Sequence, residues 1–171
     1  MDSTAHPRET DGVAEIAYLS LGANMGDRAA NLRAAIEQLK AAGSLCAVSG
    51  FYETQPVELA DQPWFLNCAL AIETCRSPRD LLNFALAIEA GMGRLRLRDK
   101  GPRQIDIDLL LFGGRVIAEP KLNVPHPAMH RRRFVLAPLA EIAPNALHPL
   151  LNKTVAELLN SLEEGQIVRR V

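Results

Sequence analysis

The stretch GPRQIDIDLLLFGG, residues 101–114, decides how the chain folds. Its centre has the apolar density of a buried strand, yet it carries two aspartates two residues apart beside an arginine. Side chains alternate along a strand, so Asp106 and Asp108 leave one face about 7 Å apart, while Ile105, Ile107, Leu109 and Leu111 are expected on the other. Two carboxylates at the mouth of a buried strand repel each other, so a cation must sit between them or one must give up its charge.

Upstream, Ser77, Pro78 and Asp80 supply an N-cap, a first-turn proline and an acid at the third helical position. The helix they start has Leu81, Ala85, Ile88 and Met92 as its buried stripe. Glu89 lies near its C-terminal end, where the helix dipole disfavours an acid, and on residue type alone reads as a solvated surface glutamate. In RLRLRDKGPR, Arg94, Arg96, Arg98, Lys100 and Arg103 face one acid, Asp99. Earlier still, AEIAYLSLGANMGD gives a strand to Leu21, a turn through Gly22 to Gly26 and a helix over 28–41 with Leu32, Ile36 and Leu39 inward. SLCAVSGFYET reads as one strand, QPVELADQP as a loop, and WFLNCALAIET as a strand through Thr74.

Downstream, RVIAE reads as a short strand, PKLNVPHPAMH as irregular, and 131–142 as a helix. Thr154 and Glu157 form a capping box for a last helix reaching Leu162, and QIVRRV returns as an edge strand. The order strand, helix, strand, strand, helix, strand is that of an α+β, ferredoxin-like split βαβ sandwich. Its antiparallel-dominated sheet carries packed helices, with extra C-terminal helices. Residues 1–14 read as a disordered polar tail and 15–171 as a single domain.

At 171 residues and 48% hydrophobic, the chain can bury one core without a staple. A net charge of -1 leaves no overall basic field to draw it onto nucleic acid. Cys46, Cys68 and Cys75 lack CxxC spacing and read as small buried hydrophobes in a reducing, cytoplasmic setting. No apolar run has the length of a membrane span, and no leading segment has a signal core. Neither GxGxxG nor GxxxxGK[ST] occurs, which removes the usual nucleotide loops.

Carboxylates on one side and guanidinium groups on the other describe a polyphosphate site. A divalent ion, best magnesium, would join acids to phosphate oxygens while arginines grip the rest. Tyr52, Trp64 and Phe65 with Thr54 and Asn67 suit a flat heterocycle read at its edge. His126 and His130 are separated by Pro127, which argues against a histidine metal site. RNA binding would want exposed aromatics in a chain only 5% aromatic, and a regulatory small-molecule module would leave the arginine cluster unexplained.

The stretches LSLGANMGDRAANL, FYETQPV…DQPWFLN, MGRLR…GPRQIDIDLLLFG and VPHPAMHRRRFVLAPLAEIAP together resemble the 6-hydroxymethyl-7,8-dihydropterin pyrophosphokinase family over residues 16–145. The resemblance implies transfer of the terminal diphosphate of ATP to the pterin hydroxymethyl group, releasing AMP, in folate biosynthesis. It implies that Asp106 and Asp108 bind two magnesium ions and that Arg94, Arg96 and Arg103 are catalytic. Thr54, Gln55, Val57, Phe65, Asn67 and Phe134 would hold the pterin. Glu89, Arg96, Arg103, Leu109, Lys121, Asn123, His126 and Arg132 would hold ATP, which reverses the surface reading of Glu89. A cytoplasmic monomer with no nucleic-acid or membrane partner is expected; the alternative is a catalytically impaired paralogue that still binds pterin or nucleotide.

Overall fold

The computed structural model describes residues 13–56, 61–93 and 104–171. Strand β1 (Glu15–Ala23) leads into α1 (Arg28–Leu39), whose N-cap Asp27 accepts from the Ala30 N–H. Next come β2 (Ser44–Val48), β3 (Tyr52–Thr54), β4 (Phe65–Thr74) and α2 (Pro78–Gly91). Ser77 caps α2 by accepting from the Asp80 N–H, as the sequence predicts. After β5 (Asp106–Phe112), β6 (Ile117–Glu119) and β7 (Leu122–Val124) form a hairpin. The chain ends with α3 (Arg133–Ile142), β8 (Leu147–His148), β9 (Lys153–Thr154), α4 (Val155–Asn160) and β10 (Val168–Arg170). No helix among the described residues is long and apolar enough to cross a membrane.

The main sheet runs β10-β3-β4-β1-β5, with β2 also on β4, and every pairing is antiparallel. This is the ferredoxin-like arrangement, with β2 and β3 sharing the second strand position. Alternation on the central strands sorts the core into two layers. Leu19, Leu21, Cys68, Leu70, Ile107 and Leu109 pack with α1 and α2 on one face. Ala69, Leu110 and Leu111 pack with Val135, Leu136 and Leu158 of α3 and α4 on the other.

Several sequence expectations are corrected. The register against β1 shifts between Tyr18 and Leu19, so Leu110 is an extra residue in β5. This bulge turns Leu111 onto the α3 face, away from Ile105, Ile107 and Leu109. The expected single strand over 44–54 breaks at Ser49–Phe51, where the Gly50 N–H donates to Glu141 of α3 at 2.6 Å. The helix expected from Arg131 is instead a short 3-10 turn, Met129–Arg131, followed by α3. Between them Arg132 is extended, and its carbonyl accepts from Val135 and Leu136. The irregular stretch after Glu119 contains β7, and α4 ends at Asn160 rather than Leu162. Only Cys68 is buried, and burial pushes its thiol up to about 12; Cys46 and Cys75 are exposed. The expected return of the chain as an edge strand is found, since β10 pairs with β3.

Candidate active site

The site is built from the strand ends at one end of the sheet. Thr54 ends β3, Phe65 opens β4, Gly22 lies one residue from the end of β1, and Asp106 opens β5. The register places Tyr52, Asn67, Gly22 and Asp106 in one row across four strands, with Thr54 and Phe65 paired beside it. Paired residues point to the same side, so all of these face the α3 layer. Asp108, opposite Ser20, stands on that face two residues along. Asn67 and Asp106 are thus two strand spacings apart, about 10 Å, with only a glycine between them.

That glycine is required. A Cβ on Gly22 would lie 2.4 Å from Asn67 Oδ1. The Asn67 amide donates to the Thr54 hydroxyl at 2.6 Å, and both side chains are buried. The pair offers a free acceptor lone pair on Asn67 and a hydroxyl proton on Thr54, a donor–acceptor edge suited to a heterocyclic amide. Sequence reading placed Gly22 only in a turn; nothing local reveals that it separates Asn67 from Asp106, because the pairing of β1 with both neighbours is long-range.

Glu89 is 2% exposed, which corrects its surface reading. Its Oε1 accepts from the Ile107 N–H at 2.7 Å, between the two aspartates. Strand β5 is the edge of the sheet, so this N–H points away from β1 and α2 supplies its acceptor. Glu89→Ala should cost about 1–3 kcal/mol, the penalty for an unsatisfied buried donor, whereas Glu89→Gln retains an acceptor and should cost less. Urea midpoints of the two variants check the order. The Leu109 side chain lies in the core opposite Leu19, so only its peptide groups, outward-facing like those of Ile107, are available to a ligand.

His126 donates its N–H to the Leu110 carbonyl at 2.9 Å, and its ring lies in the fields of Arg132 and Asp106. The three are therefore brought together. Burial, reinforced by Arg132 and opposed by Asp106, lowers the imidazole to about 4. Its Nδ1 accepts from the Ala128 N–H, as a neutral ring can. A lowered histidine favours the fold fully above its unfolded value near 6.5, and that contribution is lost as pH falls toward 4. An NMR titration of the His126 ring should give a midpoint near 4; a midpoint near 6.5 would contradict this geometry.

Arg132 caps α3 and stacks 5.6 Å from the Phe134 ring. Both line a cleft of about 450 Å³ with Arg131, Arg133, Leu162 and Gln166. Lys121 and Asn123 sit on the β6–β7 hairpin, both exposed, and Lys121 holds the left-handed turn position at φ 62°. Gln55 follows β3 and is partly buried. Val57, Arg94, Arg96, Arg98 and Arg103 lie outside the described residues.

Residues 18–144 match the family model described as 7,8-dihydro-6-hydroxymethylpterin-pyrophosphokinase (HPPK). The chain belongs to the HPPK family. A 2-amino-4-hydroxy-6-hydroxymethyldihydropteridine pyrophosphokinase of Methylorubrum extorquens is 46% identical over 155 residues, covering 90% of this chain and 97% of the relative. The Bacillus subtilis protein of the same name is 49% identical over 129 residues, 74% of this chain and 77% of its own. Among solved structures, a Plasmodium falciparum HPPK-DHPS chain superposes with a TM-score of 0.69 at 19% identity. That match covers 90% of this chain and 45% of the Plasmodium chain, and supports the HPPK fold alone.

Proposed function

We propose that the row from Asn67 through Gly22 to Asp106 is where this HPPK-family enzyme joins its two substrates. The protein transfers diphosphate from ATP to 6-hydroxymethyl-7,8-dihydropterin, a step of folate biosynthesis. The pterin hydroxymethyl oxygen attacks the β-phosphorus, the bond from that phosphorus to the bridging oxygen of the α-phosphate breaks, and AMP leaves with that oxygen. The pterin hydroxyl gives up its proton. The observation that carries the reading is the glycine gap. An amide edge that reads a heterocycle and a pair of acids lie on one face about 10 Å apart, with no side chain between them.

Thr54 and Asn67 orient the ring by its edge, and the partly buried aromatics Phe65 and Phe134 offer it faces. Gln55 and Val57 complete the pterin side. Asp106 and Asp108 are hard oxygen donors, half-exposed on one face. No group of three or more His, Cys, Asp or Glu among the described residues could cage a metal. This suits magnesium, which takes one or two carboxylates and fills its shell with phosphate and water. Bound there, a pair of magnesium ions would neutralise triphosphate charge.

His126, Arg132, Lys121, Asn123 and the Leu109 peptide hold the nucleotide, with Glu89 fixing β5 from behind. Arg94, Arg96 and Arg103 neutralise the charge that builds on the leaving AMP. A monomer in a cytoplasmic setting is carried forward from the sequence. The test is a coupled assay for AMP from ATP, magnesium and the hydroxymethyl pterin. Pterin-dependent AMP release supports the reading. Ligand binding with no AMP would favour the impaired paralogue.

A further inference from the structure

We propose that β10 is a positioning element for the pterin side of the site, acting through Gln166 and Arg169; this rests on the assignment of Thr54, Phe65 and Asn67 to the pterin. Strand β3 is only three residues long and holds Thr54 at its end. Its outer edge is covered by β10, with Val168 opposite Thr54, Arg169 opposite Glu53 and Arg170 opposite Tyr52. Thr54 therefore lies between Val168 and Phe65, both of its lateral neighbours fixed.

The grip continues beyond the strand. Both peptide groups of Gln55 are held: its N–H donates to the Ile167 carbonyl at 3.0 Å, and its carbonyl accepts from Gln166 Nε2 at 2.6 Å. Gln166 also lines the cleft that holds Arg132 and Phe134. On the next strand, the Arg169 guanidinium stacks 5.5 Å from the Trp64 ring, one residue before Phe65. It also lies 3.6 Å from Glu53, whose other oxygen pairs with Arg28 at 2.7 Å. Arg28 in turn donates to the Trp64 carbonyl at 3.1 Å. The residue after Thr54 and the residue before Phe65 are thus tied to one strand.

A binding edge held in place before the ligand arrives pays less ordering entropy on binding. The ATP-side acids are on β5, at the opposite edge of the sheet from β10. Loosening Gln166 and Arg169 should therefore weaken pterin binding selectively. The Arg169 side chain is 64% exposed, so its truncation need not unfold the domain.

The experiment compares the full chain with Gln166→Ala/Arg169→Ala, Arg169→Lys and Asn67→Ala in steady-state AMP release, varying the pterin and ATP separately. The double variant should raise KM for the pterin roughly tenfold, with KM for ATP within about twofold and kcat little changed. Arg169→Lys, which keeps the cation over Trp64, should recover most of the Arg169 part. An unchanged pterin KM overturns the inference, and so does an equal rise in both KM values with a lowered Tm. Asn67→Ala separates the two readings. If it leaves pterin KM unchanged, the pocket assignment falls and this inference with it; if it raises KM while the β10 variant does not, only the role of β10 falls.

Discussion

Asp106→Ala and Asp108→Ala are each expected to lower turnover roughly 10³-fold while leaving the protein folded, because several kcal/mol of charge stabilisation at the triphosphate is removed. Both side chains are half-exposed on one face of an edge strand, so truncation creates no core cavity. Removing one of two like charges about 7 Å apart also relieves repulsion in the metal-free protein. The variants should therefore melt within a few degrees of the parent. The defect should appear in kcat as well as in ATP affinity, since charge develops most strongly as the diphosphate moves. Turnover near the parent rate in saturating magnesium would remove these residues from the proposed role. A large loss of Tm would assign them to the fold instead.

The second large effect is expected from Gly22→Ala. The added methyl would sit 2.4 Å from Asn67 Oδ1, closer than any real contact, while its approach to Phe65 at 3.6 Å is ordinary. Asn67 must swing away, and its 2.6 Å hydrogen bond to Thr54 breaks in a buried place. An unsatisfied buried hydrogen bond costs about 1–3 kcal/mol, and losing the oriented amide should weaken pterin binding by a factor of roughly 10 to 100. ATP affinity should hold within about twofold, because Asp106 loses no contact to the new methyl. The decisive control is a double-mutant cycle. With Asn67→Ala already present the collision is gone, so adding Gly22→Ala should cost much less stability than it does alone. Full additivity of the two changes would mean the steric account is wrong.

Much of this site was legible in the one-dimensional chain, and the misses have local causes. Paired acids beside arginines point to polyphosphate because few other ligands need both. Ser77 and Thr154 were found as caps because capping depends on three or four consecutive residues, and both make the expected bonds. Leu111 was misplaced because one inserted residue at Leu110 inverts all later alternation, and a bulge leaves no trace in a run of leucines. Glu89 looked like a surface residue because its partner, the Ile107 N–H, belongs to a strand eighteen residues away. Cys46 and Cys75 were taken as buried on residue type, which says nothing about the particular face each occupies.

What the amino-acid order settled alone were the elements and the chemistry they carry: strand and helix periods, helix caps, twin acids and an aromatic–amide cluster. These depend on neighbours within a turn or two of chain, where rise and alternation are fixed by backbone geometry. The tertiary structure alone decided which strands lie side by side and in what register. It placed a glycine between Asn67 and Asp106, Glu89 behind β5 and β10 against β3. Register arises from packing two apolar faces across long loops, and a slip of one residue would turn every one of these side chains to the opposite layer.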